Sequence, residues 1–335
     1  GLILVSMEVL SDFGAVDHFA IPTFTTGIFR TWQGMYDLNS AMQLASILLI
    51  VIMVFIVVER ASRRRAIYSP QSSNFKPAKI KKLKGLKNIF AFCICLLPIF
   101  VGFLLPIIEL LVWAFSYNSS FFTEKFIQAS LNTITISIVA AILCAFLALI
   151  VNFSMRLKNN RPLNALSSLL TIGYGIPGLI LAIGIVQLTT TLDNTFNIFI
   201  TGSLFGLIMA YLVKSYALSN LSIEAGFHRI SKKLDDSAKA LKSTGWHMLF
   251  NVHFPLLKGS ILTATLLVFA EIVKELPATL ILRPFNFDTL AVSTYLYAAE
   301  ERMFEAAAPA ISIVLIGLIP IIFLSQMIRD SKPVK

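Results

Sequence analysis

QASLNTITISIVAAILCAFLALIVN, residues 128–152, runs for 25 residues without an Asp, Glu, Lys or Arg. The apolar core of a bilayer is crossed by about 20 apolar residues in a helix. The run is continuous rather than alternating, which is the pattern of a spanning helix and not of a barrel strand. Working outward, six further stretches have the same character: 39–58, 88–115, 165–190, 198–220, 260–282 and 307–327. The opening Gly1-Leu2-Ile3-Leu4-Val5 is apolar too, and reads as the second half of another span whose beginning is absent. Across the 335 residues, 56% are hydrophobic and only 14% charged. Soluble domains carry about a quarter charged residues, so an ordinary soluble enzyme is excluded. Disorder is excluded by the same apolar content, including 27 Phe. Cys93, Cys95 and Cys144 all lie within apolar runs, so no disulfide framework is indicated. The expected class is an all-α polytopic membrane protein.

Orientation follows from Lys and Arg, which stay on the cytoplasmic side of short loops. Segment 59–87 holds ten: Arg60, Arg63, Arg64, Arg65, Lys76, Lys79, Lys81, Lys82, Lys84 and Lys87. Loops 153–164 and 221–259 and the C-terminal tail bring that side to 22, against four in the alternate loops (Arg30, Lys125, Arg283 and Arg302). The C-terminus is therefore expected in the cytoplasm. The net charge of +10 is a topology signal beside anionic lipid, and no nucleic-acid partner is expected. Ser69-Pro70-Gln71-Ser72-Ser73-Asn74 gives 59–87 the composition of a linker between two membrane units.

A shift of 263 residues lays the start of the chain on its end. Leu4-Val5-Ser6-Met7-Glu8-Val9 meets Leu267-Val268-Phe269-Ala270-Glu271-Ile272, and Phe24-Thr25-Thr26 meets Phe287-Asp288-Thr289. Glu8 and Asp12 fall on Glu271 and Glu275. The register predicts an internal duplication: residues 1–58 end a first repeat whose earlier part is truncated, 59–87 link, and 88–335 form a second repeat of six helices. Both repeats then share one orientation, the parallel-repeat arrangement.

Loop 221–259 is patterned, with Leu234, Ala238, Leu241, Leu249 and Val252 near helical spacing. Ser243-Thr244-Gly245 interrupts it, predicting two short helices at an angle. Asp235 and Asp236 open the first, where carboxylates suit the positive helix end, and Pro255 closes the second. Such an apolar-faced corner must rest on its own bundle or on a partner. The segment Asp236-Ser237-Ala238-Lys239-Ala240-Leu241-Lys242, with Val252-His253-Phe254-Pro255, resembles the EAA loop of ATP-binding-cassette importer permeases. That family's loop seats on an ATPase subunit. Here Asp236 replaces the usual Glu, Ser237 the first Ala, Lys242 the usual Gly and Phe254 the usual Leu, and Gly245 is placed to make the turn instead.

Lys274-Glu275-Leu276-Pro277-Ala278-Thr279-Leu280, continued by Arg283-Pro284-Phe285-Asn286-Phe287-Asp288-Thr289-Leu290-Ala291, resembles the fused ferric iron permeases. Ser11-Asp12-Phe13-Gly14, Thr23-Phe24-Thr25-Thr26-Gly27-Ile28-Phe29-Arg30-Thr31-Trp32 and Gly175-Ile176-Pro177-Gly178 are similar to other parts of that family. The resemblance implies a type I importer permease fold in a bacterial inner membrane. It also implies a periplasmic iron-binding protein delivering cargo, and an ATPase dimer engaged through Asp236, Ser237, Ala238, Lys242, Gly245 and Pro255. No cofactor is implied. A permease for a polyamine, thiamine, phosphate or sulfate, or a secondary transporter, are the alternatives.

Charges inside spans are costly and default to functional hypotheses. Glu271, Lys274 and Glu275 share one helix face by spacing. With Glu8 and Asp12 they are candidates for a cation path, since hard cations prefer carboxylate oxygen; a structural Glu271–Lys274 pair is the competing reading. His228, His247 and His253 are spaced by 19 and 6, which matches no metal motif. Tyr174 and Tyr211 could bind a ferric ion or simply pack at the interface, and Gly178 with Ala182 forms a small-residue packing pair. No phosphate loop, nucleophile elbow or Cys/His cluster occurs, so the chain is not expected to be an enzyme.

Overall fold

The computed structural model describes the backbone of residues 6, 9–65, 84–116, 123–158 and 161–330, and their side chains except at 59, 60, 62–65 and 328–330. Glu8 and most of the 59–87 linker lie outside the described residues. Among those residues there are helices and turns and no β-strand. The first part holds α1 (Gly14–His18), α2 (Phe24–Phe29, prolonged by a π turn at Arg30–Gly34) and α3 (Leu38–Arg65). Next come α4 (Leu86–Ser116), α5 (Glu124–Leu157), α6 (Arg161–Ile172), α7 (Gly178–Phe196) and α8 (Leu204–Arg229). The chain continues through α9 (Lys232–Ala240), α10 (Gly245–Leu256), α11 (Lys258–Val273), α12 (Pro277–Leu282), α13 (Leu290–Ala299) and α14 (Met303–Asp330). Among the described residues six helices are long and apolar enough to cross a membrane: α3, α4, α5, α7, α8 and α14. Helices α10 and α11, bent by 79°, make a seventh if taken as one broken span.

Helix α5 is the spine. Ala140, Ala141, Cys144 and Ala148 are fully buried on it, and such small side chains let α8 and α11 pack close. Deeper along the same seam Asn152 donates to Asn220 Oδ1 at 2.8 Å, and the Tyr216 hydroxyl donates to the same oxygen at 3.2 Å. Helix α7 packs on α8 and α12, and α3 packs on α2 and α7, which brings residues 9–65 into the main core. Helix α4 lies outermost; no residue of Leu86–Ile99 is buried, and its outer half packs on α14.

Two spans read as continuous from hydropathy are broken. The 165–190 run splits at Gly173–Gly175, where α6 ends and α7 begins only at Gly178. A Cβ on Gly173 would lie 2.2 Å from the Val213 carbonyl oxygen, so glycine permits the contact with α8. Pro177 then holds Ile176 extended (φ −90°, ψ 127°). The 260–282 run splits as well: α11 stops at Val273, and α12 starts with Pro277 at its first position. The 283–306 connection, read as a loop, contains α13, whose Leu290, Ala291 and Val292 are buried. Thr133 on α5 accepts the Leu290 N–H at 2.8 Å, and Asn132 donates to the Asp288 carbonyl at 2.9 Å.

The order of elements recurs. Helices α1, α2 and α3 are matched by α12, α13 and α14, each starting 263–266 residues later. Left-handed residues separate the members in both sets: Ala20 (φ +52°) and Tyr36 (φ +55°), then Asn286 (φ +60°) and Glu301 (φ +61°). Thr23 caps α2 and Thr289 caps α13, each with its side chain accepting a backbone N–H at 3.4 Å. The gapless register expected from sequence therefore fails by three residues at this cap: Thr289 matches Thr23, not Thr26. Helix α12, one residue longer than α1, and a connection two residues longer take up the slip.

Candidate functional site

The breaks after residue 11 and after Val273 face each other. Together with Tyr174, Ile176 and Lys214 they line a cavity of about 470 Å³ that includes Asp12, Glu271, Lys274 and Glu275. The sequence candidates Asp12, Glu271, Lys274 and Glu275 thus share one cavity; Glu8 is outside the described residues. Glu271 and Lys274 pair at 3.2 Å, but Lys274 is 55% exposed, so this pair is weak. The buried pair is a different one. Glu275, 6% exposed, bonds through Oε2 to Lys214 Nζ from α8.

Glu275 is pinned by more than its charge. Its Oε1 accepts the Ala278 N–H at 3.2 Å, capping α12, and its carbonyl accepts from the Thr279 hydroxyl at 2.7 Å. Thr279 in turn bonds the buried Tyr211 hydroxyl at 2.6 Å. Tyr211 is therefore a packing and bonding residue of the core, whereas Tyr174 borders the cavity. Gly178 makes room for the carboxylate: a Cβ there would meet Glu275 Oε1 at 2.4 Å and Lys214 Nζ at 3.4 Å. Sequence reading assigned Gly178 to helix packing and passed over Lys214, although a lone lysine in an apolar span was a visible signal. Among the described residues no group of three His, Cys, Asp or Glu is placed to hold a metal ion.

A second constellation sits at the other end of α11, in the 221–259 loop. Arg156, at the end of α5, donates to both oxygens of Asp235 at 2.6 and 3.3 Å. It also donates to the carbonyls of Phe227, Ile230 and Ser231 at 2.8, 2.9 and 3.1 Å. Asp235 lies in the first turn of α9, as its place in the sequence predicts, and is also buried and paired. His253, fully buried between Phe153 and Phe227, places Nε2 at 3.3 Å from Asp235 Oδ1. Burial lowers the His253 pKa below its usual value, with the Asp235 charge opposing and Arg156 adding to the drop.

This knot ties α5, α8, α9 and α10 together and leaves an apolar face outside it. Ala238, Met248 and Leu249 pack on the bundle, while Leu241, Trp246, Phe250 and Phe254 are exposed. Trp246 stacks on Phe250 with centroids 5.9 Å apart. The turn between α9 and α10 carries two left-handed residues, Lys242 (φ +59°) and Gly245 (φ +55°). Gly245 suits its position, while Lys242 occupies a conformation that favours glycine. Asp236 and Ser237 are exposed on α9, and Pro255 lies at the end of α10 beside the bend.

The model of the family of binding-protein-dependent transport system inner membrane components matches residues 145–330, more than half of the chain. The chain belongs to that family. It is a membrane permease component, not an enzyme. Fe(3+)-transport system permease protein FbpB 2 of Haemophilus influenzae is 23% identical over 332 residues, which is 97% of this chain and 64% of that protein. The chain therefore spans about two thirds of the length of that relative. Putative 2-aminoethylphosphonate transport system permease protein PhnV of Salmonella typhimurium is 23% identical over 202 residues, 60% of this chain and 75% of that protein. A crystal structure of a bacterial alginate transporter complex has a chain that superposes with a TM-score of 0.56 at 19% identity, covering 73% of this permease and 96% of itself. That likeness establishes the helical permease fold.

Proposed function

We propose that this permease carries ferric iron across a bacterial inner membrane as part of an ATP-binding-cassette importer. The observation that carries the iron reading is the similarity to a ferric permease along 97% of the chain. The cavity between the two breaks supports passage of a cation rather than a resident metal centre, because Asp12, Glu271 and Glu275 line it without forming a metal-holding group among the described residues. In this reading a periplasmic iron-binding protein delivers cargo at the α12–α13 face. An ATPase dimer docks on the α9–α10 corner, where Leu241, Trp246, Phe250 and Phe254 give it an apolar seat. Asp236, Ser237, Ala238, Lys242, Gly245 and Pro255 belong to that corner.

The excess of Lys and Arg in segment 59–87, loops 153–164 and 221–259 and the C-terminal tail supports a cytoplasmic C-terminus and α9–α10 corner. The recurring order of elements supports a tandem duplication, with residues 1–58 ending one repeat, 59–87 linking and 88–335 forming the other. In such a pair the two breaks lie at equivalent places, and the cavity sits between repeats, where parallel-repeat transporters hold their cargo. Radiolabelled ferric iron uptake by iron-starved cells, with the complete gene deleted and then restored, tests the reading. Loss and recovery of uptake support it; uptake indifferent to the gene removes iron as cargo. The similarity to a 2-aminoethylphosphonate permease makes that compound the second cargo to assay.

A further inference from the structure

The two halves of the Lys214–Glu275 pair are held differently. The Glu275 carboxylate holds a cap bond to Ala278, and its own backbone is tied through Thr279 to Tyr211. None of those bonds involves the lysine. Among the described residues Lys214 has one partner, Glu275, at the tip of a flexible four-carbon stem. Both groups border the same cavity, along with Asp12, Glu271 and Lys274. Gly178 gives the carboxylate and the ammonium their common space, since any side chain there would displace Oε1.

We propose that Lys214 is a tethered stand-in for a cationic cargo: it neutralises Glu275 in the empty permease and is displaced when a cation occupies the cavity. This deepens the cation-transport reading and rests on it. The carboxylate keeps a positive partner throughout, trading the ammonium for the cation, while Asp12 and Glu271 in the same cavity offset part of the added charge. A buried carboxylate without any partner is strongly disfavoured, so the returning ammonium also helps expel the cargo. Lys214 is then a specificity-determining residue. It opposes entry of weakly bound cations and cuts dwell time for tight ones.

The test uses the full chain in lipid nanodiscs and a small amine-acetylating reagent, with acetylation of Lys214 read by peptide mass spectrometry. Exposed Lys232 and Lys239 serve as internal controls. Ferric citrate should raise Lys214 acetylation several-fold over the metal-free sample, and Glu275→Gln should raise it with no cation added. A rise with spermidine but not with ferric citrate would keep the stand-in role and remove ferric iron as cargo. A response to neither ferric iron nor spermidine would overturn the proposal, as would unchanged labelling in Glu275→Gln. In cells, Lys214→Met should lower the KM for cargo uptake several-fold while lowering kcat, with Lys214→Arg close to wild type. An unchanged KM, with uptake tracking only the amount inserted, would mean a purely structural pair. Labelling of the wild type decides the matter even if Lys214→Met does not insert.

Discussion

Replacing Arg156 with Ala should loosen the α9–α10 corner and reverse part of its pH response. Arg156 and Asp235 have side chains only 9% exposed, so deleting the guanidinium strands a buried carboxylate. Removing one member of a buried pair costs about 3–5 kcal/mol. At 1.36 kcal/mol per decade, the corner should open roughly a hundred- to several thousand-fold more often. The Phe227, Ile230 and Ser231 carbonyls lose donors too, and only the bond to Ser231 is exposed, so the first two losses add to the cost.

The pH response follows from His253. In the wild type its pKa is lowered by burial, with Arg156 contributing. Above a pH of about 6.5 the ring is neutral whether the corner is packed or open, and its stability is fully present. Below that value the open form binds a proton that the packed form refuses, so stability falls toward the folded pKa. Without Arg156, Asp235 has only His253 as a charge partner and the histidine pKa rises, so acid should destabilise the variant less. Hydrogen exchange of residues 231–257 in nanodiscs, from pH 5.5 to 8, reads both effects. Exchange in Arg156→Ala equal to wild type, or a steeper acid loss, would refute the role assigned to this cluster.

Gly173→Ala should misplace α6 against α8, because its Cβ meets backbone rather than a movable side chain. Overpacking of that kind costs about 1–3 kcal/mol, visible as a lower unfolding temperature of the full chain in detergent. Lys242→Gly should stabilise the α9–α10 turn by about 1 kcal/mol, since a left-handed residue with a Cβ is strained; slower exchange at Ser243 would register it. Gly245→Val should abolish uptake with insertion retained, and normal uptake would remove the turn from the coupling path. Thr133→Val should leave the buried Leu290 N–H without its acceptor at a cost of about 1–3 kcal/mol, and Thr133→Ser should restore it, by the same unfolding assay.

The apolar spans were legible because hydropathy is additive along the chain. The breaks were not. Hydropathy counts Leu276 and Ile176 as apolar without knowing whether their backbones continue a helix. What makes glycine necessary after α6 is the closeness of the Val213 carbonyl, on another helix. Pro177 and Pro277 marked both places, yet a proline inside an apolar run is equally compatible with a kink. Asp12, Glu271 and Glu275 could be gathered from sequence through the internal register. Lys214 was visible as a lone charge in an apolar span, but its pairing was not, because Glu275 is 61 residues away and Lys214 lies outside any repeat match. The same distance problem hid Arg156, which lies 79 residues from Asp235. The corner's exposed aromatics were equally unreadable: Leu249 and Phe250 are neighbours in sequence, and only the fold decides that one is buried and the other outward.

The most direct measurement of the central claim is ATP-dependent uptake of radiolabelled ferric iron into inverted-free, right-side-out membrane vesicles. The vesicles carry the complete transporter, the iron is supplied on its binding protein, and Glu275→Gln is run beside the wild type. The expected result is iron accumulation in the wild type that requires internal ATP, with accumulation lost in Glu275→Gln at equal insertion. Iron accumulation independent of ATP, or equal in the two proteins, would contradict it.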